Sequence, residues 1–503
     1  MLKTLVVAGR DRARLAEIFQ VASRFGLGVL LARLGLPRSE ADDSEARGDL
    51  SLPVRTRLAL EELGPTFVKL GQILATRGDL LSPPWIAELE KLHSQAPTLE
   101  FSVIRASLEE ALGQSPEAAF AWLDETPLAA ASIAQVHRAR LHDGRDVVLK
   151  VQRPGIRPRM EADLRLIAQM AAMVEASSAE ARRFAPAAML RQLAAAVLEE
   201  LDFTQEGRNA DRLRADFAGN PRVMVPEMHW QWSSGTVLVM DYVAGVAPRS
   251  ADDLRAAGIE PAAIAELGAD MVLDMVMVNG RFHGDPHPGN LLCLPGNRIA
   301  LLDLGMIGHV SPRRRQEFIS FMQALSGGDP AQLADVLLSW SSDGGGSRDT
   351  VRIAAERLVA RHGGGQLVLS EMIADFLLLM REEGLILPPD LLLIFKALVT
   401  IDGVLSAIDP GFDLSRAMRD ASRRIVAARL SPEYWTPIAQ ALTWEMMKLG
   451  DDAPRLLRAL VHRLEAEPAA TAPPADPVIA GRWIAAAIVI GAALIAAALI
   501  ATG

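Results

Sequence analysis

The sequence predicts a helix-rich α+β fold of two lobes, with a helical extension in front of them and one apolar helix behind. Three observations carry this expectation. Ala and Leu dominate a chain of 503 residues that is 50% hydrophobic and only 5% aromatic, a balance that favours helices. Short β-branched runs at Arg145–Val151, Thr236–Val243 and Ile299–Leu302 interrupt the helical stretches and read as strands. Trp483–Ala501 carries no charge, and at 1.5 Å per residue such a helix spans roughly 28 Å, close to a bilayer core.

The length leaves room for two or three structural units. The expected division is a helical extension over 1–100, a smaller lobe over 101–243, a larger lobe over 244–465, a linker over 466–478 and an anchor over 479–501. A net charge of −10 leaves no basic footprint for nucleic acid. The one cysteine, Cys293, excludes an internal disulfide. It follows Asn-Leu-Leu in an apolar run, the pattern of a buried strand position rather than a reactive thiol.

From the N-terminus, Ala16–Leu36 alternates apolar clusters with Arg24 and Arg33, an amphipathic helix that offers Phe19, Phe25, Leu27 and Leu30. Packing against the protein core is preferred here to binding a lipid surface. Further on, Leu128–His137 is an Ala-rich loop without glycine, which on its own could equally begin a helix. The strand after it ends on Lys150, well placed to meet a phosphate, although a solvated strand lysine has the same local pattern. Met189–Phe217 reads as helical and carries Glu199, Glu200, Asp202 and Glu206. If that helix is continuous, Asp202 and Glu206 share a face whereas Glu200 and Glu206 point apart. A partner for Lys150 and a solvated acidic face both remain open for these acids. Thr236–Val243 reads as a strand leading into a hinge.

Chemistry concentrates in His283-Gly-Asp-Pro-His-Pro-Gly-Asn290, followed by a strand and Asp303-Leu-Gly305. Gly, Pro, Asp and Asn favour turns for ordinary backbone reasons, but the spacing says more. Phosphoryl-transfer enzymes of the protein-kinase type place a catalytic-loop Asp and a metal-binding Asn as Asp-x-x-x-x-Asn, with a second metal-binding Asp beyond a short hairpin. Asp285, Asn290 and Asp303 have that arrangement. The triphosphate needs divalent ions on its oxygens, and hard oxygen ligands hold such ions. His283 and His287 are read as loop-shaping residues. No flavin fingerprint and no haem or di-iron ligand set is evident.

Pro65-Thr-Phe-Val-Lys-Leu-Gly-Gln72, Thr76–Pro83, Ala129–His137, Glu200-Leu-Asp202 with Glu206, and the two loop motifs follow one another over roughly residues 15 to 460. In this order they resemble the UbiB/AarF family of atypical kinase-like proteins, also called the ADCK family. The resemblance implies a protein-kinase-like fold with ATP and Mg2+ as cofactors. It implies that Lys150 contacts phosphates and pairs with Glu206, that Asp285 is the catalytic-loop acid, and that Asn290 and Asp303 hold magnesium. Ala130, Ala131, Ser132, Ile133 and Ala134 would form the loop over the nucleotide. Lys69 and Gln72, with Gly71, would lie on an extension folded across the site, faced by Glu200 and Asp202. The implied activity is ATP binding and slow hydrolysis in support of ubiquinone or related polyprenyl quinone biosynthesis. The implied partners are membrane lipids, polyprenyl-phenol intermediates and quinone-biosynthesis enzymes. Ala134 stands where many relatives have glycine, and where some relatives end in two membrane helices this sequence has room for one span after Pro477.

Two features point the same way without the resemblance. Gly284 replaces the arginine that docks an activation-loop phosphate, and no Ala-Pro-Glu follows Asp303. A platform for protein substrates is therefore not expected. Behind the Pro/Ala linker Glu467–Pro477, Arg482 flanks the apolar run and no secretory signal is read at the start. The expectation is a single-pass protein of the inner (cytoplasmic) membrane with its catalytic domain on the cytoplasmic side. Ala487, Gly491 and Ala498 leave room for a homodimer through that helix. Two other classes stay open: a phosphotransferase acting on a small or lipid hydroxyl, and a non-catalytic nucleotide-sensing scaffold.

Overall fold

The computed structural model describes residues 12–27, 50–75, 81–92, 97–177, 186–340, 348–363, 369–382 and 387–429, with single positions at 443, 444 and 447. The linker, the apolar segment after it and residues 28–36 lie outside them. Residues 1–426 form one compact unit, and the elements below belong to it as far as Val426.

Among the described residues four helices come first: α1 (Arg12–Arg24), α2 (Leu52–Leu63), α3 (Pro65–Ala75) and α4 (Pro83–Leu89). Gly64, at φ +96°, ends α2 in one residue, and Pro65, with its fixed φ, starts α3 at once. The apolar face of α1 is buried in the protein: Ile18, Val21 and Phe25 pack with Ala59, Leu63, Phe67 and Leu166. Gly71 is closely packed: a Cβ there would lie 2.3 Å from Leu92 Cδ1 and 3.0 Å from Leu60 Cδ1, so the Leu92 side chain would have to shift.

The smaller lobe holds α5 (Phe101–Leu112), α6 (Pro116–Ala119), β1 (Phe120–Leu123), β2 (Ala129–Ala130), β3 (Ala134–Leu141), β4 (Asp146–Gln152), α7 (Ile156–Ser177), α8 (Pro186–Glu200), α9 (Phe203–Asp216) and β6 (Val237–Asp241), while β5 (Val223–Met224) pairs in parallel with Ile299–Ala300 of the larger lobe. The antiparallel sheet runs β1-β3-β4-β6, with β2 on β3. Strand alternation decides which side chains face which way. Val147, Leu149 and Val151 of β4 are fully buried and pack with Ile104 and Leu108 of α5, so Lys150 projects from the other face. The Ala-rich segment is a hairpin and does not start a helix; Ala131 N donates to Ala134 O at 2.8 Å across its turn. Asp163 of α7 is a buried node that joins three helices. It accepts from Arg14 Nε at 2.6 Å and from Thr66 Oγ1 at 2.7 Å.

The larger lobe contains α10 (Ala251–Ala256), α11 (Pro261–Asp274) with a π-helical turn to Asn279, β7 (Arg281–His283), β8 (Leu291–Leu294), β9 (Arg298–Leu301), β10 (Ile307–His309), α12 (Pro312–Gly327), α13 (Pro330–Trp340), α14 (Arg348–His362), α15 (Leu369–Glu382), α16 (Pro389–Ile408) and α17 (Leu414–Arg429). Asp390–Ile408 is long and apolar enough to cross a membrane. Leu391, Ile394, Phe395, Ala397, Leu398 and Ile401 are nonetheless 2% exposed or less, which makes α16 a core helix. Phe395 stands among Phe318, Phe321, Trp340 and Phe376, with ring centroids 5.3 to 6.4 Å from it, a rigid aromatic block.

Cys293 is buried in β8, and burial pushes its thiol up to about 12. A thiol raised on folding leaves stability intact at neutral pH and lowers it once pH passes the ordinary thiol range near 8.5. We expect maleimide labelling at pH 7.5 to proceed only as fast as the protein opens. Labelling at the rate of a free thiol in the folded protein would contradict this burial.

Candidate active site

Lys150 is the centre of the site. Its Nζ donates to Glu206 Oε1 at 2.9 Å and Oε2 at 2.8 Å, and lies 3.4 Å from Asp303 Oδ1. Burial by itself lowers the Lys150 pKa, but the charges of Asp303 and Glu206 outweigh it and hold the ammonium above its ordinary value. Lys150, against the opposing effect of burial and with help from Lys69, holds Asp303 below the usual carboxylate range. Glu206 is pushed up, chiefly by burial, with Lys150 opposing. The cluster is an ammonium shared between carboxylates.

A break in the chain positions Glu206. The helix across Glu199 to Glu206 is not continuous: α8 ends at Glu200, and Asp202 is the N-cap of α9, accepting from Thr204 N at 3.1 Å and Thr204 Oγ1 at 2.8 Å. The two glutamates therefore sit on separate helices and take separate lysines, Glu200 pairing with Lys69 and Glu206 with Lys150. Asp202, expected to face the site beside Glu200, instead holds the start of α9. Gln72, expected at the nucleotide, donates from Nε2 to Leu92 O at 2.9 Å and helps tie α3 to the chain beyond α4.

The hairpin of β8 and β9 brings the remaining groups together. Leu291 faces Leu301, and one step beyond, Leu302 N donates to Asn290 O at 2.8 Å. Asn290 and Asp303 thus flank the mouth of one hairpin. Asp303 has φ +49° and with Asn297 is one of two non-glycine residues at positive φ among the described residues; such backbone strain gathers at functional sites. In the preceding loop His283 Nδ1 accepts from Asp285 N at 3.1 Å, so its Nε2 carries the hydrogen donated to Leu302 O at 3.0 Å. Burial lowers the pKa of this ring. Asn290 Nδ2 donates to Asp285 O at 3.0 Å, and His287 Nδ1 accepts from Gly289 N at 2.9 Å. Both histidines shape the loop.

Gly284 sits tight against its neighbours. A Cβ would meet Met306 Cγ at 3.0 Å and Leu393 Cδ1 at 3.1 Å. Helix α16 therefore lies against the catalytic loop through Leu393, and one turn later Lys396 Nζ reaches Asp285 Oδ1 at 3.4 Å. Sequence reasoning missed Lys396, since its apolar helix gives no local hint of a partner.

Within the Ala-rich hairpin, Ile133 and Ala134 are buried in the core. Arg153 holds the turn, donating from N to Ile133 O and from Nε to Ala131 O, both at 2.9 Å. Ser132 is 6% exposed, and its Oγ has no hydrogen-bond partner; an orphaned buried hydroxyl calls for a ligand. Its neighbours Ala130 and Ala131 are half-buried. Among the described residues no three His, Cys, Asp or Glu side chains converge on a metal position. Asn290 and Asp303 supply hard oxygens, a partial set that fits Mg2+ completed by phosphate oxygens. The donor set and the orphaned Ser132 thus fit a magnesium nucleotide.

The family model of the ABC1 atypical kinase-like domain matches residues 91–337, and that of the UbiB helical domain matches residues 364–413. The chain is 34% identical over 451 residues to the probable protein kinase UbiB of Xylella fastidiosa, covering 86% of this chain and 80% of that one. It is 33% identical over 369 residues to an uncharacterized protein of Synechocystis sp., covering 71% of this chain and 64% of that one. Among solved structures, the Rv3197–erythromycin complex from Mycobacterium tuberculosis matches with a TM-score of 0.52 at 22% identity. That match covers 72% of this chain and 93% of the other, and is a likeness of fold.

Proposed function

The chain belongs to the UbiB family of ABC1 atypical kinase-like proteins, and from that premise we propose that it binds and hydrolyses Mg-ATP in support of ubiquinone or related polyprenyl quinone biosynthesis at a membrane. The observation that carries this reading is the Lys150 ammonium held between Glu206 and Asp303, with Asn290 at the same hairpin mouth. When bound, ATP supplies the phosphoryl group and Mg2+ neutralises its oxygens. Glu206 orients Lys150, which would meet a phosphate; Asn290 and Asp303 would hold the metal, and the Ser132 hydroxyl would be free to donate to a phosphate oxygen. Asp285 orients water and takes its proton.

Water is favoured over a protein hydroxyl as acceptor. Leu393 packs where a kinase catalytic loop carries an arginine, and Lys69 lies near enough for its charge to act on Asp303. The uncharged run Trp483–Ala501 supports single-pass anchoring with the catalytic unit on the cytoplasmic side. Such an anchor would bring the site to membrane lipids, polyprenyl-phenol intermediates and the enzymes that process them.

The test is phosphate release from ATP by the full chain in liposomes, with and without a polyprenyl-phenol. We expect measurable release that the phenol stimulates. Nucleotide binding without any release would overturn the hydrolytic reading, and label from γ-labelled ATP in the lipid extract would replace it with phosphotransfer to a lipid hydroxyl.

A further inference from the structure

We propose that Arg153 is a positioning residue that pins the nucleotide hairpin on both sides of Ser132 and so holds the Ser132 hydroxyl where a phosphate oxygen can meet it. This role rests on the reading of the pocket as a magnesium-nucleotide site and adds to it a residue that does not itself touch the nucleotide.

The hairpin needs an outside anchor because little inside holds its tip. Strand β2 has two residues, Ala129 and Ala130, paired with Val136 and Gln135, and across the turn Ala131 N donates to Ala134 O. The carbonyls on either side of Ser132 both go to Arg153. Its N donates to Ile133 O and its Nε to Ala131 O, both at 2.9 Å, while Nη2 donates to Pro97 O at 2.7 Å. Between the two held carbonyls the Ser132 Oγ is buried without a hydrogen-bond partner. Such a hydroxyl costs stability in the empty protein, and fixing its backbone on both sides readies it for a ligand.

The chemistry of this side chain suits the task. A guanidinium presents a planar fork of donors that holds two carbonyls at once, whereas a lysine head is a compact point charge. Among the described residues Arg153 has no carboxylate partner, and burial lowers its pKa. Its donors go to backbone instead, unlike those of Arg14, Arg281 and Arg314, which pair with Asp163, Asp216 and Asp390.

Its place in the chain matters as much. Arg153 follows Lys150 by three residues, and the same turn grips another wall of the site. Gln152 Nε2 donates to Leu201 O at 2.9 Å, and Arg157 Nη2 donates to the same oxygen at 3.2 Å. Leu201 stands at the break between α8 and α9 that separates Glu200 from Glu206. One short turn beyond β4 thus holds both the hairpin and the helix break that positions the acids. Pro97 lies on the chain that leads from the extension into α5, and two residues later Leu99 N donates to Gln135 Oε1 at 2.8 Å. Hairpin and entering chain are therefore fastened at two points.

Equilibrium titration of the full chain with Mg-ATP, and separately with Mg-ADP, tests the role through a double-mutant cycle of Arg153→Met and Ser132→Ala. Each single change is expected to weaken both nucleotides about tenfold, the loss typical of a hydrogen bond to a charged group. Adding Ser132→Ala to Arg153→Met should weaken binding by less than about twofold more, because a hydroxyl no longer held in place has little left to lose. Arg153→Lys, whose head reaches one carbonyl and not both, should fall between the parent and Arg153→Met. Amide hydrogen exchange in Arg153→Met should quicken at residues 130–134 and keep the parent rate in β4 and α5. Independent effects that multiply in the double variant, unchanged binding in Arg153→Met, or exchange quickened throughout the smaller lobe would overturn the proposal. Should the parent bind nucleotide yet release no phosphate, the hydrolytic reading fails while the cycle still decides the role of Arg153. A parent that binds neither nucleotide overturns both.

Discussion

Replacing Asp303 with Asn is expected to reduce phosphate release by at least about a hundredfold while the protein stays folded. The fold should persist because Asn has the same shape and is among the few side chains that tolerate the left-handed backbone this position adopts. Activity should go because the neutral side chain removes the one negative charge of the Asn290–Asp303 pair that would hold a divalent cation, and because Lys150 loses one of its two carboxylates. The change also leaves a signature in acid. A carboxyl held below its ordinary value stabilises the fold at neutral pH, and that contribution disappears as pH falls through the usual carboxylate range near 4 and below. Glu206, raised chiefly by burial and in part by the charge of Asp303, acts in the opposite sense, so the difference between parent and variant reports Asp303 together with its effect on Glu206. Urea unfolding at pH 7 and pH 3 should show the parent losing more stability than Asp303→Asn. Unchanged phosphate release, or identical acid dependence, would remove Asp303 from the role given to it.

Glu206→Ala should be the most damaging single change to stability in the site. Lys150 and Glu206 are buried, with side chains 14% and 8% exposed. Removing one partner of such a pair strands a charge and costs about 3–5 kcal/mol. Asp303, 3.4 Å away, keeps some compensation and places the expected loss toward the lower end. The double change Lys150→Met with Glu206→Leu should recover most of the stability, since apolar groups of similar size replace a buried ion pair at little cost, yet restore no phosphate release. A single variant that loses less than about 1 kcal/mol by urea unfolding would show that the ammonium finds water or another partner.

These residues were legible in sequence to unequal degrees, for physical reasons. Asp285, Asn290 and Asp303 could be read because loop and hairpin fix their spacing along the chain. The strand that carries Lys150 could be read from alternation. The break between Glu200 and Asp202 could not be placed, because a capping acid and a helix-face acid look alike until the backbone chooses. Gln72 and Asp202 were assigned to the nucleotide on resemblance, whereas the structure gives their side chains to packing of the extension and to the helix cap. Gln135 and His137, in the same Ala-rich motif, are fully buried, with Gln135 Oε1 accepting from Leu99 N at 2.8 Å. Lys396 was invisible, because its meeting with Asp285 depends wholly on how α16 docks.

The Asp163 node has a consequence for aim. Thr66 and Lys69 are three residues apart on α3 and occupy neighbouring rows of that helix. Holding Thr66 by its hydroxyl therefore sets the azimuth of the whole cylinder, much as a key fixes a shaft, and with it the direction in which Lys69 meets Glu200. One residue of helical slip would swing that lysine by about 100°. The bearing of a cation at the phosphate end of the pocket is thus set by Arg14, Thr66 and Asp163, three residues to which no contact with nucleotide is assigned.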